Sequence, residues 1–147
     1  MKKILLSLSL LFTSTLAISQ QAWTNFTTSN SQISDNSIRC ILFENDSTTW
    51  IGTDFGLSKL VNGNWTSYNT SNSNIPANGI RSLAIDSLNT IWVGTFSNGL
   101  ASYDGTTWTS YNTLNSPLPD DFVRSLAVDT LGQKWIGTTG GLAKIDS

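Results

Sequence analysis

The chain has 147 residues, of which 39% are hydrophobic, with 8 basic and 10 acidic residues and a formal net charge of −2. This acidic balance argues against nucleic-acid binding, because clustered basic residues supply most of the affinity for phosphates. The sequence contains no histidine and a single cysteine, Cys40. We therefore expect no intrachain disulfide, no transition-metal site and no cofactor.

Residues 1–19 are predicted to be a secretory signal peptide. Lys2 and Lys3 precede an apolar run of about 15 residues, which is shorter than the roughly 20 residues that a membrane-spanning helix requires. Small residues flank Ile18 before Gln20, and this exit is typical of a cleavage site. We expect an exported chain of residues 20–147 that is not stably inserted in a membrane.

The rest of the sequence repeats itself. The motif Trp-Ile/Val-Gly-Thr occurs at residues 50–53, 92–95 and 135–138. A period of roughly forty residues with strand-like composition is typical of propeller blades. The predicted repeats are residues 23–64, 65–107 and 108–147, which together form a partial β-propeller.

Each repeat is predicted to contribute four short antiparallel strands, so the expected fold is all-β with three four-stranded blades. The runs are rich in β-branched and aromatic residues and are separated by turn-forming residues. In the first repeat they are Trp23–Thr27, Ile38–Glu44, Thr49–Thr53 and Leu57–Val61. In the longer polar connections, Ile75 and Leu118 are expected to point into the core.

The second repeat resembles the two-component regulator propeller repeat. The resemblance is carried by the strings 80–86, 92–95 and 99–105. It implies a β-propeller, which in this family is often the periplasmic sensor part of a hybrid histidine kinase. It also implies a periplasmic, cell-surface or secreted location in a Gram-negative bacterium.

Three blades are fewer than a closed propeller needs, since propellers close with about four to eight blades. By the arrangement seen in the family, the Ile38–Glu44 run would be the innermost strand of a blade and Trp23–Thr27 an outermost strand. Trp23–Thr27 would therefore be the outer strand of a different blade from the one that contains Ile38–Glu44. Two interpretations remain open. Two chains joined head to tail would give a six-bladed ring, or the sequence is a fragment of a longer propeller.

The recurrent tryptophans and glycines are expected to be structural. All six tryptophans fall at two repeat positions, which favours packing between sheets over a carbohydrate-stacking platform. Gly52, Gly94 and Gly137 follow the motif tryptophans and are expected to leave room for a neighbouring ring. Cys40, replaced by serine in the other repeats, is expected to be a small buried residue and not a nucleophile.

The candidate binding residues are arginines and phenylalanines on one propeller face. Arg39, Arg81 and Arg124 occupy one repeat position at the start of the innermost strand and would surround the channel mouth. Guanidinium groups bind carboxylate, sulfate or phosphate at two points. Alternatively, they would bond backbone carbonyls of the adjacent blade or stack on tryptophan. Phe55 and Phe96, in irregular loops on this face, would stack on a sugar or aromatic ligand or cover the blade rim.

Catalysis is not expected. The common nucleophile–base arrangements are absent, and no catalytic or metal-binding residue is predicted. The expected function is an exported, non-enzymatic module for ligand recognition or sensing outside the cytoplasm, with an anionic small molecule or glycan as ligand. The alternative is a structural or adhesive module that contacts other proteins at the cell surface.

Overall fold

The computed structural model describes residues 21–146, and the predicted signal peptide, residues 1–19, lies outside them. The described part of the chain is all-β, with eleven strands in three antiparallel sheets. None of its residues form a helix that is long and apolar enough to cross a bilayer. The predicted all-β fold of stacked antiparallel blades is confirmed.

Each sheet is a meander of sequential strands, and we number the sheets as blades 1 to 3. Blade 1 contains β1 (Ile38–Asn45), β2 (Thr48–Thr53), β3 (Leu57–Val61) and β4 (Asn64–Tyr68). Blade 2 contains β5 (Ile80–Ile85), β6 (Ile91–Thr95), β7 (Leu100–Tyr103) and β8 (Trp108–Tyr111). Blade 3 contains β9 (Val123–Val128), β10 (Lys134–Thr138) and β11 (Leu142–Ile145).

Blade 3 differs from the predicted four strands, because it has three within the described residues. The prediction of a strand at Trp23–Thr27 is also wrong, since these residues form no strand and Trp23 is 84% exposed. The equivalent strands β4 and β8 pair with β3 and β7, the third strands of their sheets. Residues 23–27 follow no such strand in the described chain, so their backbone groups have no ladder to join.

Adjacent blades pack face to face. We call the face of a blade that meets the preceding blade its leading face, and the opposite one its trailing face. Because side chains alternate along a strand, each blade has two faces, and blade 2 contributes to both cores. The core between blades 1 and 2 contains Trp50, Leu57, Ile75, Ile80, Ile91, Val93 and Ala101. The core between blades 2 and 3 contains Ala84, Trp92, Leu100, Leu118, Val123 and Ile136. The predicted burial of Ile75 and Leu118 is confirmed.

The Trp-x-Gly-Thr motif recurs because three of its positions have separate structural roles. The indole N–H of each motif tryptophan donates to a carboxylate at the end of the inner strand of its blade. The pairs are Trp50 with Glu44 at 2.7 Å, Trp92 with Asp86 at 3.0 Å and Trp135 with Asp129 at 2.9 Å. The threonine hydroxyl donates to the carbonyl of Gly56, Gly99 or Gly141 at 2.8, 2.7 and 2.8 Å. That second bond closes the turn that follows the motif strand.

The motif glycine makes room for small and aliphatic side chains, so the prediction that it accommodates an aromatic ring was wrong. A Cβ at Gly52 would lie 2.4 Å from Cys40 Sγ and 2.6 Å from Ile80 Cγ2. At Gly94 it would lie 2.3 Å from Ser82 Oγ and 2.6 Å from Val123 Cγ1. The glycine therefore lets the inner strand of the next blade approach closely.

Candidate ligand-binding face

All three arginines lie at β-bulges of the inner strands. In blade 1, Ile38 pairs with Thr53 and Cys40 with Gly52, which leaves Arg39 as an extra residue without a partner on β2. The same shift in register places Arg81 and Arg124 at bulges of β5 and β9. A bulge bends the strand and redirects side chains away from the regular ladder. The local backbone therefore presents one guanidinium group per blade at the same end of the inner strand.

Asp54 joins the first two arginines across the boundary between blades 1 and 2. It lies in the turn after β2, where Arg39 Nε donates to its Oδ1 at 2.9 Å and Arg39 Nη2 pairs with its Oδ2. Arg81 Nη1 pairs with Oδ1 at 2.5 Å. Hydrogen bonds from Arg39 and then Arg81 hold the pKa of Asp54 far below its ordinary range. The carboxylate is therefore charged and shared by two guanidinium groups.

Two phenylalanines continue the arrangement into blades 2 and 3. Arg81 Cζ lies 4.8 Å from the centroid of the Phe96 ring. Phe96 meets Phe122 edge-on, with ring centroids 4.6 Å apart, and Arg124 Cζ lies 4.9 Å from the centroid of Phe122. These distances are typical of cation–π and T-shaped aromatic contacts. We call the continuous set Arg39, Asp54, Arg81, Phe96, Phe122 and Arg124 the arginine row.

The charges of the row are unevenly compensated. Arg39 and Arg81 share one carboxylate, whereas Arg124 makes no ion pair with any residue in the range 21–146. Arg124 is also exposed, and Phe96, which contacts the Phe122 ring beside it, is half exposed. The third blade therefore presents an accessible guanidinium group next to an aromatic surface.

The structure unites most of the predicted site residues and separates one of them. Arg39, Arg81, Arg124 and Phe96 belong to the row, while exposed Phe55 has no aromatic or cation–π contact in the described chain. Among residues 21–146 the arginine side chains contact a carboxylate and phenylalanine rings, and none of them has a hydrogen bond to a backbone carbonyl or a cation–π contact with a tryptophan.

Sequence reasoning missed Asp54 and Phe122. Asp54 corresponds to Phe96 and Thr139 in the other repeats, and Phe122 corresponds to Ser37 and Gly79. Both therefore stand out only as departures from the repeat at positions next to an arginine bulge. No group of three or more His, Cys, Asp or Glu side chains in residues 21–146 is placed to hold a metal ion.

Stacked antiparallel meanders, each beginning at its inner strand, define this molecule as a set of β-propeller blades. The family model for the two-component regulator propeller matches residues 74–97, which contain β5, β6 and Arg81. The resemblance of the chain to that family is thereby confirmed. No curated protein sequence has a significant match to it.

Solved structures support the same fold. An extracellular domain assigned to a hybrid two-component system of B. thetaiotaomicron is 27% identical with a TM-score of 0.67, and covers 75% of this chain and 16% of its own. A second such domain from that bacterium is 24% identical with a TM-score of 0.65, and covers 85% of this chain and 16% of its own. This chain thus spans less than a fifth of either domain.

Enzymes also occur among the structural neighbours. A virginiamycin B lyase from Staphylococcus aureus is 16% identical with a TM-score of 0.57, and covers 76% of this chain and 41% of its own. At this level of identity the likeness concerns the fold alone, because unrelated functions share the same fold.

Proposed function

We propose that this chain is an exported propeller module that recognises an anionic small molecule or glycan outside the cytoplasm, with the arginine row as its binding site. The observation that carries the proposal is the position of Arg124, which is accessible and without a carboxylate partner in the described residues. The Phe122 ring, with Phe96 edge-on against it, supplies an apolar aromatic surface beside it.

The chemistry of the row suits a ligand with one anionic group and one flat face. Asp54 already compensates part of the charge on Arg39 and Arg81, so these two are less available to a second anion. Arg124 can pair with a carboxylate, sulfate or phosphate at two points. A sugar ring or aromatic group would then stack on Phe96, which is half exposed.

The location of related domains supports recognition outside the cytoplasm. The 27% identical neighbour is an extracellular domain assigned to a hybrid two-component system. The family model that matches residues 74–97 is also described as a two-component regulator propeller. Since this chain spans 16% of that neighbour, the proposal concerns recognition only and assigns no signalling activity to the chain.

Neither catalysis nor a purely adhesive role explains the arginine row as well. The virginiamycin B lyase of Staphylococcus aureus is described as catalytically inactive when one histidine is replaced by alanine, and this chain has no histidine. A protein-interaction module is the second candidate, because apolar blade faces are exposed at both ends of the arc.

The test is affinity electrophoresis in gels that contain polygalacturonate, a carboxylated glycan, or dextran, a neutral one. We expect retardation in the polygalacturonate gel, with Arg124→Gln weakening binding about tenfold through loss of a charge-assisted contact. Lys144→Gln is the matched control, since it removes one positive charge from β11. Equal weakening by both variants would indicate a general charge effect and contradict the assignment, as would absence of retardation in both gels.

A further inference from the structure

The two end faces of the blade arc are apolar and uncovered in the described chain. On the leading face of blade 1, Ile41 is 57% exposed and lies between exposed Ile38 and Phe43. On the trailing face of blade 3, Trp135 is 37% exposed and Leu142 is 64% exposed. The equivalents of Trp135 in blades 1 and 2, Trp50 and Trp92, are buried. The end faces are therefore the two halves of an interface that the chain forms twice internally.

The segment before β1 already occupies part of the place of a preceding blade. Phe26 meets Trp65 edge-on, with ring centroids 5.5 Å apart at 68°. Tyr68, at the same repeat position as Phe26, meets Trp108 with centroids 5.6 Å apart at 62°. A groove of about 570 Å³ remains between this segment and blade 1. Its apolar lining includes Phe26, Ile41, Phe43, Ile51 and Trp65.

A cavity between blades 2 and 3 lies where the first interface has an aromatic side chain. In the first interface, Trp108 stacks on Tyr103 with ring centroids 4.5 Å apart and also contacts Tyr68. In the second interface the corresponding residues, Tyr111 and Ile145, line a cavity of about 420 Å³ instead. The repeat position of Trp108 is also held by Trp23, whose side chain is exposed.

We propose that a second copy of this chain docks head to tail, with the trailing face of blade 3 in one copy against the leading face of blade 1 in the other. Residues 23–27 of the second copy then form the fourth strand of blade 3. The pairs Tyr103↔Trp108 and Leu100↔Tyr111 in blade 2 fix the register. They place Ile145 opposite Trp23 of the second copy, and Leu142 opposite its Phe26.

The same contact would bury the exposed motif tryptophan, Trp135. Trp50 stacks on Tyr68 with centroids 5.7 Å apart, and Trp92 stacks on Tyr111 at 5.9 Å. By the repeat, Trp135 stacks on Phe26 of the second copy and enters the groove on blade 1. A binding partner must therefore fill the groove on blade 1, fill the cavity at Tyr111 and Ile145, and pair with the free edge of β11. A second copy of this chain meets all three requirements. Such a heterologous contact closes into a ring or extends into a linear array, according to the rotation between copies.

The experiment is sedimentation velocity on the purified exported chain and on two variants that each block one face. Ile41→Asp charges the leading face and Leu142→Asp charges the trailing face, and both side chains are already largely exposed in a single copy. We expect two or more copies per particle for the unaltered chain at micromolar concentration and one for either variant. An equal mixture of the variants regains a dimer, because each retains one intact face.

Leu88→Asp is the control, since Leu88 is an exposed residue outside both faces and should leave the assembly unchanged. Trp23→Ala should weaken association by about tenfold or more, as expected for a buried aromatic anchor. A monomeric unaltered chain would overturn the proposal. Failure of the mixture to dimerise would equally overturn the head-to-tail arrangement.

Discussion

The two interfaces between blades share a backbone plan but are filled differently. Between blades 1 and 2 the outer part is aromatic, with Trp50, Tyr68, Tyr103 and Trp108 in mutual contact. Burial, with the neighbouring Tyr103, raises the pKa of Tyr68 to about 12. Between blades 2 and 3 the filling is mostly aliphatic. The comparison shows that strand register defines the blade, while the side chains between blades can vary widely.

The ion pairs that join neighbouring blades differ between the two interfaces: Arg81 and Asp54 join blades 1 and 2 at the arginine row, whereas a lysine joins blades 2 and 3 beside a motif tryptophan. Every motif tryptophan has a lysine near its ring, and in blades 1 and 3 this is Lys59 or Lys144 from the third strand of the same blade. In blade 2 that position is Ser102, and Lys134 of blade 3 lies 5.4 Å from the Trp92 ring instead. Lys134 Nζ is also 3.6 Å from Asp86 Oδ2. The lysine is thus supplied by a different strand, and it joins blades 2 and 3.

Trp50→Ala is expected to have the largest effect, because it removes the central aromatic ring of the first interface. Trp50 is 1% exposed, and emptying such a site costs about 3–5 kcal/mol of unfolding free energy. Trp135→Ala is the matched control and should cost less than half as much in the monomer, since Trp135 lies on an open face. Urea unfolding followed by circular dichroism, on the Ile41→Asp background that keeps the chain as single copies, measures both, and equal costs would contradict the assignment of closed and open faces.

Lys134→Met should lower the unfolding free energy by about 2 kcal/mol, since it keeps the apolar stem but removes the cation beside the buried Asp86. Three hydrogen bonds to Asp86 remain, from the indole of Trp92 and the backbone of Leu88 and Thr90, which limits the loss. Adding Ser102→Lys should restore part of it, because blades 1 and 3 place their lysine there. Absence of any rescue would show that the two positions are not equivalent.

The cost of Lys134→Met should depend on pH. Burial acts to raise the pKa of Asp86, but the hydrogen bonds from Trp92, Thr90 and Leu88, with the charge of Lys134, lower it below its ordinary value. A carboxyl group with a depressed folded-state pKa stabilises the fold above its unfolded pKa of about 4, and this is lost as the pH falls through the folded value. The difference between Lys134→Met and the unaltered chain should therefore be largest near neutral pH and shrink in acid. A constant difference would rule out Asp86 as the affected partner.

The sequence predicts what the repeats share and misses what a single repeat changes. Recurrence made the blades and the burial of Ile75 and Leu118 predictable. The Trp23–Thr27 run failed as a strand because pairing needs a neighbouring third strand, a requirement that local composition does not contain. Asp54 and Phe122 were missed because each appears in one repeat, although they decide which arginine stays unpaired. A repeat pattern reveals only the residues that recur, so it does not reveal the single-repeat residues that distinguish a binding face.

The smallest expected effect concerns the innermost contact of each interface. Cys40 in blade 1 and Ser82 in blade 2 hold the same position against the motif glycine. Burial raises the pKa of the Cys40 thiol to about 11, and a thiol tolerates apolar surroundings. The Ser82 hydroxyl is buried with no hydrogen-bond partner in the described residues, an arrangement that costs about 1–3 kcal/mol.

Ser82→Ala should therefore stabilise the chain by about 1 kcal/mol, with part of the gain offset by the small void that the hydroxyl leaves. Ser125→Ala is the control and should be near neutral, because Ser125 is exposed on the open face of blade 3. Thermal unfolding of the three chains on the Ile41→Asp background, which keeps them as single copies, makes the comparison at one protein concentration. A lower melting temperature for Ser82→Ala would mean that the hydroxyl has a hydrogen-bond partner. The inner strands of the two interfaces would then resemble each other more closely than their outer strands do.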